Sequence, residues 1–194
     1  MRITKEPEVR KKEIIDVALV LFEEKGIMKT SMNDIAKKMD VAKGLLYYYF
    51  KSKDELVSEV IESFSKEVDE EILGIRDNQD LSFYEKISAI ITLFFTAIAD
   101  HPAMMDVAPG NPGIFDYVKT KLSDIAIYHV ESLLKEGEDN GVIKIRYPEY
   151  VLRMLIGGIA DLYVEGVNDP EILTVIIEQT LGLPSGEINF GYQE

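Results

Sequence analysis

The sequence predicts an all-α protein: a three-helix helix-turn-helix head, residues 1–53, joined by a linker helix to a larger helical body, residues 54–194. Three observations predict this class. Apolar residues recur at helical spacing along most of the chain. Ser31 with Asp34 and Ser52 with Glu55 have the spacing of capping boxes that begin helices. The charge is also uneven, because residues 1–53 hold 12 Lys+Arg and 8 Asp+Glu (+4), whereas the remainder holds 9 and 27 (−18).

The head is predicted from three short helical patterns. Residues 8–25 repeat apolar side chains on one face, and Gly26 ends this helix as a C-cap. The second helix follows Ser31 and has apolar residues at i, i+3, i+4 and i+7, which are Met32, Ile35, Ala36 and Met39. A break at Asp40 is followed by a third helix from about Ala42. Two short helices joined by so tight a turn indicate a helix-turn-helix unit.

The body is predicted to be helical throughout. A fourth helix runs from Lys53 to about Leu73, and the polar turn residues of 74–81 follow it. Residues 106–113 contain two prolines and two glycines, which predicts a loop. The remaining helical patterns cover residues 81–100, 114–139, 148–167 and 170–182.

Composition and charge narrow the function classes. With 46% hydrophobic and 29% charged residues, the chain is typical of a globular protein, and its apolar runs are too short to span a bilayer. Charged N-terminal residues and zero cysteines favour a cytoplasmic protein without disulfides, thiolate metal sites or membrane partners. The basic head on an acidic body suggests a polyanion-binding module. Chance segregation of charge is the alternative.

The run 43-KGLLYYYF-50 divides into two faces when placed on a helix at about 100° per residue. The core arc is predicted to hold Leu46, Tyr49 and Phe50. The opposite face holds Lys43, Gly44, Tyr47 and Tyr48, with Leu45 at its margin. Lysine and tyrosine side chains commonly contact DNA phosphates and base edges. The predicted DNA-binding residues are Thr30, Ser31, Lys43, Gly44, Leu45, Tyr47, Tyr48 and Lys53.

The stretch 18-ALVLFEEKGIMKTSMNDIAKKMDVAKGLLYYYFKSKDEL-56 resembles the signature of the TetR/AcrR (tetracycline-repressor-like) transcriptional regulators. Its segments are similar to the family's Ala-x-x-Leu-Phe-x-x-x-Gly, Thr-Ser-x-x-x-Ile-Ala, Lys-Gly-x-x-Tyr-x-x-Phe and Lys-x-Glu-Leu. Asp40 replaces a usual Gly, Ala42 a usual Ser or Thr, and Leu45 a common Thr. The resemblance implies a homodimer that binds a DNA operator and whose body binds a small effector.

Candidate residues for the body follow from these expectations. Gly157, Gly158 and Ala160 lie inside an apolar helix, where glycine is unfavourable by about 1 kcal/mol relative to alanine, so a closely packed dimer partner is predicted. A close contact within the monomer, or a kink, is the alternative. Few basic residues follow position 53, so the effector is expected to be apolar or amphipathic. Its candidate contacts are Phe94, Phe95, Met104, Met105, Tyr117, Tyr128, His129, Met154 and Tyr163.

The competing function classes are an enzyme and a small-molecule carrier with a vestigial head. The sequence has no phosphate-cradling glycine loop, paired histidine ligands, cysteine or nucleophile motif, so we expect no enzyme, cofactor or metal site. A carrier is distinguished from a regulator by DNA binding with a steep salt dependence. We expect a repressor released from a palindromic operator by its effector. An activator and a regulator without a ligand stay open.

Overall fold

The computed structural model describes residues 6–102 and 112–188, and the regular structure in these ranges is α-helical, which confirms the all-α prediction. The helices are α1 (Pro7–Lys25), α2 (Met32–Lys38), α3 (Lys43–Tyr49), α4 (Lys53–Asp77), α5 (Phe83–Asp100), α6 (Pro112–Asp139), α7 (Pro148–Val164) and α8 (Pro170–Leu181). None of the described helices is both long and apolar enough to span a membrane.

The chain forms two compact units. The first comprises Met1–Lys66 and Ile98–Val118, and the second comprises Glu67–Ala97 and Lys119–Glu194. The first unit therefore contains the whole predicted head, together with segments that lie far along the sequence. Helices α4, α5 and α6 each contribute residues to both units. The functional division into residues 1–53 and 54–194 stays a prediction.

The head has a hydrophobic core of its own. Helix α1 packs on α2, and α2 packs on α3. The residues that meet there are fully buried apolar side chains of all three helices and of the segment after α3, namely Ile14, Ala18, Phe22, Ile35, Leu46 and Phe50. Complete burial of one large apolar side chain stabilises a fold by about 1.5–3 kcal/mol. This core therefore holds α3 in a defined rotation about its axis.

The helix starts in the head use local hydrogen bonds. The hydroxyl and backbone N–H of Ser31 both donate to Asp34 Oδ2, at 2.6 and 2.9 Å, and the Asp34 N–H donates back to Ser31 Oγ. The predicted capping box with Asp in place of Glu is therefore confirmed. The pair Ser52 and Glu55 forms only half of one, because the Glu55 carboxylate accepts from the N–H of Lys51.

Two predicted boundaries in the body are wrong. Helix α4 continues through Gly74 to Asp77, so the turn begins at Asn78 rather than at Gly74. Helix α6 already begins at Pro112, which places Pro112 and Gly113 in a helix instead of the predicted loop. Proline suits the first turn of a helix because the N–H it lacks has no helical acceptor there. The other residues of that loop, 106–111, lie outside the described residues.

Candidate nucleic-acid interface and effector groove

The turn between α2 and α3 depends on one left-handed residue. Asp40 has φ of 54°, in the region that usually requires glycine, and aspartate tolerates it better than most residues. The N–H of Val41 donates to the carbonyl of Ala36 at 3.0 Å and closes the turn. Helix α3 can therefore begin at Lys43. Asp40 adopts the left-handed conformation that is expected where the resembled family usually has glycine.

Helix α3 begins without a side-chain cap. Ala42 is its N-cap residue, with φ of −68° and ψ of 136°, and no side chain accepts a hydrogen bond from the first turn. The helix has seven residues, so one missing cap is a large share of its local stabilisation.

Replacing Ala42 with serine should stabilise the head by about 0.5–2 kcal/mol, because the extended backbone at this position suits a capping hydroxyl. Urea denaturation measures the change in the free energy of unfolding, and hydrogen exchange of the α3 amides reports the stability of that helix. The control is Ala42→Val, which offers no acceptor and should not gain stability. An Ala42→Ser protein no more stable than Ala42→Val would contradict the role assigned to this position.

The two faces of α3 separate as the helical arrangement predicts, with one correction. Leu46 is completely buried, whereas Tyr47 and Tyr48 are 45% and 79% exposed. Lys43 and Gly44 are exposed and Leu45 is half-buried at the margin. Tyr49, predicted to lie in the core, is only half-buried. Phe50 is fully buried but follows the helix as its extended C-cap.

Ring contacts order the exposed side chains of α3. Lys43 Nζ lies 5.4 Å from the centre of the Tyr47 ring, within the range of a cation–π interaction. Tyr48 and Tyr49 meet edge to face, with their ring centres 5.1 Å apart. Restricting these side chains before binding lowers the conformational entropy lost when they contact a partner. The outward face thus presents a lysine and two tyrosine hydroxyls in partly ordered positions.

The predicted contacts that flank α3 have different surroundings. Ser31 is exposed at the start of α2, although its hydroxyl serves the capping box. Lys53 is half-buried, its Nζ donates to the carbonyl of Met28 at 3.2 Å, and this burial lowers its pKa. Thr30 is 1% exposed, and its hydroxyl lies 3.1 and 3.0 Å from the carbonyl oxygens of Leu21 and Gly26. Thr30 therefore has a structural role in place of the predicted contact with the DNA backbone.

Two short helices, a tight turn and a polar, aromatic face on the second helix define a helix-turn-helix DNA-binding protein. Residues 14–60 match the family model described as bacterial regulatory proteins, tetR family. Over this segment the head is similar to the DNA-binding domain of TetR-family transcriptional regulators.

Individual relatives extend the similarity beyond the head. The transcriptional repressor KstR2 of Mycolicibacterium smegmatis is 29% identical over 142 residues, covering 70% of this chain and 68% of the relative. A TetR/AcrR-family regulator from Thermobifida fusca is 25% identical, with a TM-score of 0.63 over 96% of this chain and 100% of the other. The SmeT–triclosan complex, 18% identical, has the same fold, with a TM-score of 0.65 over 94% and 96% of the two chains.

The glycines of α7 lie on an open surface. A Cβ at Gly157 or Gly158 would meet no packed neighbour within 4 Å among the described residues, so a close contact in that part of the monomer does not account for them. Ala160, one turn away, is half-buried. Large apolar side chains are also exposed on α7 and α8, namely Tyr150, Met154, Val164, Ile172 and Val175. The last two helices therefore carry an uncovered apolar surface.

The described residues among the predicted effector contacts differ in exposure, and their role in binding an effector stays a prediction. Phe95 is buried, and Phe94 and Tyr163 are half-buried. Tyr128 and Met154 are 68% and 78% exposed, and the Tyr128 ring meets the His129 ring edge to face. Met104 and Met105 lie outside the described residues.

Tyr117 and His129 are engaged in contacts within the compact units. The Tyr117 hydroxyl donates to Glu62 Oε1 at 2.6 Å. His129 is 2% exposed, with Nε2 2.7 Å from Asp69 Oδ1 and Nδ1 3.3 Å from Arg76 Nη1. Because arginine can only donate, Nδ1 accepts and Nε2–H donates to Asp69. Both ring nitrogens are satisfied, which indicates a structural role for His129.

A groove along α5 was not predicted from the sequence. Its volume is about 520 Å³, and its lining consists of Glu85, Ser88, Ala89, Thr92, Leu93, Thr96 and Glu187. The sequence does contain one signal for it, because the hydroxyl residues at 88, 92 and 96 recur at i, i+4 and i+8 and so share one helix face. Within residues 6–102 and 112–188, no group of three or more His, Asp and Glu side chains is arranged to hold a metal ion.

Proposed function

We propose that this protein is a ligand-responsive repressor that binds a palindromic operator as a homodimer and leaves it when a small apolar or amphipathic effector binds the helical body. The observation that carries the proposal is the outward face of α3, where Lys43, Tyr47 and Tyr48 are exposed above a fully buried Leu46. A related chain is named as a transcriptional repressor, which supports the negative sign of regulation.

The residues of the head divide into two kinds of DNA contact in this proposal. Lys43, Tyr47, Ser31 and Lys53 bind phosphates and set the position of the head. Gly44, Leu45 and Tyr48 face the base edges of the major groove, where the half-buried leucine suits a thymine methyl group. The absence of a side chain at Gly44 allows the backbone of α3 to approach the bases closely.

The charge distribution supports docking through the head. Residues 1–53 carry +4 by residue count, whereas the rest of the chain carries −18. An acidic body is repelled by the phosphate backbone, so the field of the molecule favours an approach with the head toward the duplex. The same repulsion disfavours non-specific binding through other faces of the protein.

Dimerisation through α7 and α8 supplies the symmetry that the operator mirrors. These helices carry exposed apolar residues, and the open space at Gly157 and Gly158 of α7 would allow a partner helix to pack closely. A two-fold dimer presents two recognition helices to successive major grooves about 34 Å apart, which favours a palindrome.

Effector binding is linked to DNA binding by the preference of the effector for one conformation. Helix α4 contributes residues to both compact units and is the natural connection. SmeT, which has the same fold, is found in a complex with triclosan, and this supports a small apolar ligand for the body of this protein. One conformation of the dimer fits DNA, and in another the recognition helices are mis-spaced. An effector that prefers the mis-spaced conformation weakens operator binding, at most by the ratio of its affinities for these two conformations.

The roles of α3 are tested by two substitutions with different expected signatures. Tyr47→Phe should weaken binding roughly 3- to 10-fold on all sequences, since it removes about one phosphate hydrogen bond. Leu45→Thr should instead change the preferred base at one position in each half-site, by about 1–3 kcal/mol. Selection from a randomised duplex pool, followed by titration at fixed salt, measures both effects.

Tyr84→Phe, the same change in the body, is the control and should bind DNA as the parent does. If neither head variant differs from the parent, the α3 assignment fails. If the parent protein binds no duplex in a salt-dependent manner, the carrier hypothesis replaces the regulator.

A further inference from the structure

The groove along α5 has one apolar and one polar strip. Ala89 and Leu93 supply the apolar strip, and the hydroxyl residues Ser88, Thr92 and Thr96 run beside it. Glu85 lies at the start of the helix, and Glu187 reaches the groove from the segment after α8. A volume of about 520 Å³ is in the range of small-molecule sites.

Two polar side chains of the groove, Thr92 and Glu85, offer hydrogen-bond acceptors. Thr92 Oγ1 donates its proton to the carbonyl of Ser88 at 2.9 Å, so only its lone pairs are available to a ligand. Hydrogen bonds from the hydroxyl and the backbone N–H of Ser82 lower the pKa of Glu85. Its carboxylate is therefore ionised at neutral pH and accepts hydrogen bonds.

The charges of the groove discriminate between ligands. Among the described lining residues two are carboxylates and none is Lys, Arg or His. A carboxylate or phosphate ligand would lose hydration there without meeting a cation, which is unfavourable. The negative field of the chain beyond residue 53, with 9 basic and 27 acidic residues, attracts cations instead.

We propose that this groove binds an amphipathic ammonium ion, whose hydrocarbon part lies along Ala89 and Leu93 and whose N–H groups reach the Thr92 hydroxyl and the two carboxylates. The inference deepens the proposed effector binding and rests on that function for its regulatory consequence. It predicts that charge and N–H donation, and not only apolar area, determine which ligands bind.

Three probes with one hydrocarbon chain test this: protonated n-octylamine, octanoate and octan-1-ol, titrated calorimetrically into the intact protein at neutral pH and fixed salt. The amine should bind at least tenfold more tightly than the alcohol, and octanoate should bind least. Glu187→Gln should weaken the amine about tenfold and leave the alcohol unchanged. Glu131→Gln is the control, because it removes the same charge from an exposed position on α6 outside the groove.

Equal affinities for the three probes, or equal losses in the Glu187→Gln and Glu131→Gln proteins, would overturn the inference. A second variant, Thr96→Trp, fills the groove from an exposed position and should abolish amine binding; retained binding means that the amine lies elsewhere. DNA titration without any probe tests the proposed DNA binding independently of the proposed amine binding in the groove. If DNA binding holds and the amine does not bind, only the groove inference fails.

Discussion

Replacing Phe50 with alanine is expected to destabilise the N-terminal head by about 3–5 kcal/mol and to abolish DNA binding. The ring is completely buried although it follows the last residue of α3. Its N–H donates to the carbonyl of Leu46 at 2.8 Å, and Lys11 Nζ lies 5.8 Å from the ring centre. The side chain thereby joins the end of the recognition helix to the core, and its removal leaves a cavity beneath that helix.

Urea denaturation and hydrogen exchange of the α3 amides measure this loss. The matched control is Tyr48→Ala, two positions earlier, because Tyr48 is 79% exposed and its removal should change stability by no more than about 0.5 kcal/mol. Tyr48→Ala should nevertheless impair DNA binding. A Phe50→Ala protein that keeps the parent's stability would show that α3 is not positioned by this core.

Introducing glutamate at Gly158 is expected to break the proposed dimer and to weaken operator binding by about 10²-fold or more, because two linked heads bind far more tightly than one. Gly158 is exposed, and a Cβ there would meet no packed neighbour within 4 Å among the described residues, so the monomer should fold normally. Against a partner helix, however, the added carboxylate would be buried without a counterion. Sedimentation equilibrium gives the dimer dissociation constant, and DNA titration gives the affinity.

Gly74→Glu is the control for this change. Gly74 is also an exposed helical glycine with open space around it, but it lies in α4 rather than in the surface of α7 and α8. The Gly74→Glu protein should stay dimeric and bind operator as the parent does. If Gly158→Glu behaves in the same way, the dimer surface lies elsewhere.

The features that could be predicted from the sequence depend on neighbours within one or two helical turns. The angular spacing along α3 predicts that Leu46 is buried and that Tyr47 and Tyr48 are exposed. The spacing of Ser31 and Asp34 predicts a capping box, and Asp40 in the turn predicts a left-handed residue. All three depend on local geometry, which periodicity and residue type express directly.

The sequence predicts the surroundings of a side chain less well where several helices pack around that side chain. Thr30 has a hydroxyl that suits a phosphate contact, yet carbonyl oxygens of the preceding segment accept its hydrogen bonds. The sequence identifies candidate effector residues only as rings and methionines at helical spacing. Whether such a residue faces a core, a groove or solvent depends on which helix packs beside it, as exposed Met154 and buried Phe95 illustrate.

The sequence by itself determined the helical class, the outward face of α3 and the similarity of the head to TetR-family regulators, because these follow from helical periodicity and from a motif contained within residues 18–56. Only the tertiary structure decided which of the described effector candidates are buried or exposed and that α5 borders a groove. Glu187 lines the same groove as Glu85 and Thr92 although it lies about a hundred positions further along the chain, and no local pattern predicts such proximity. Helix packing brings these groups together, and packing depends on the whole set of buried side chains.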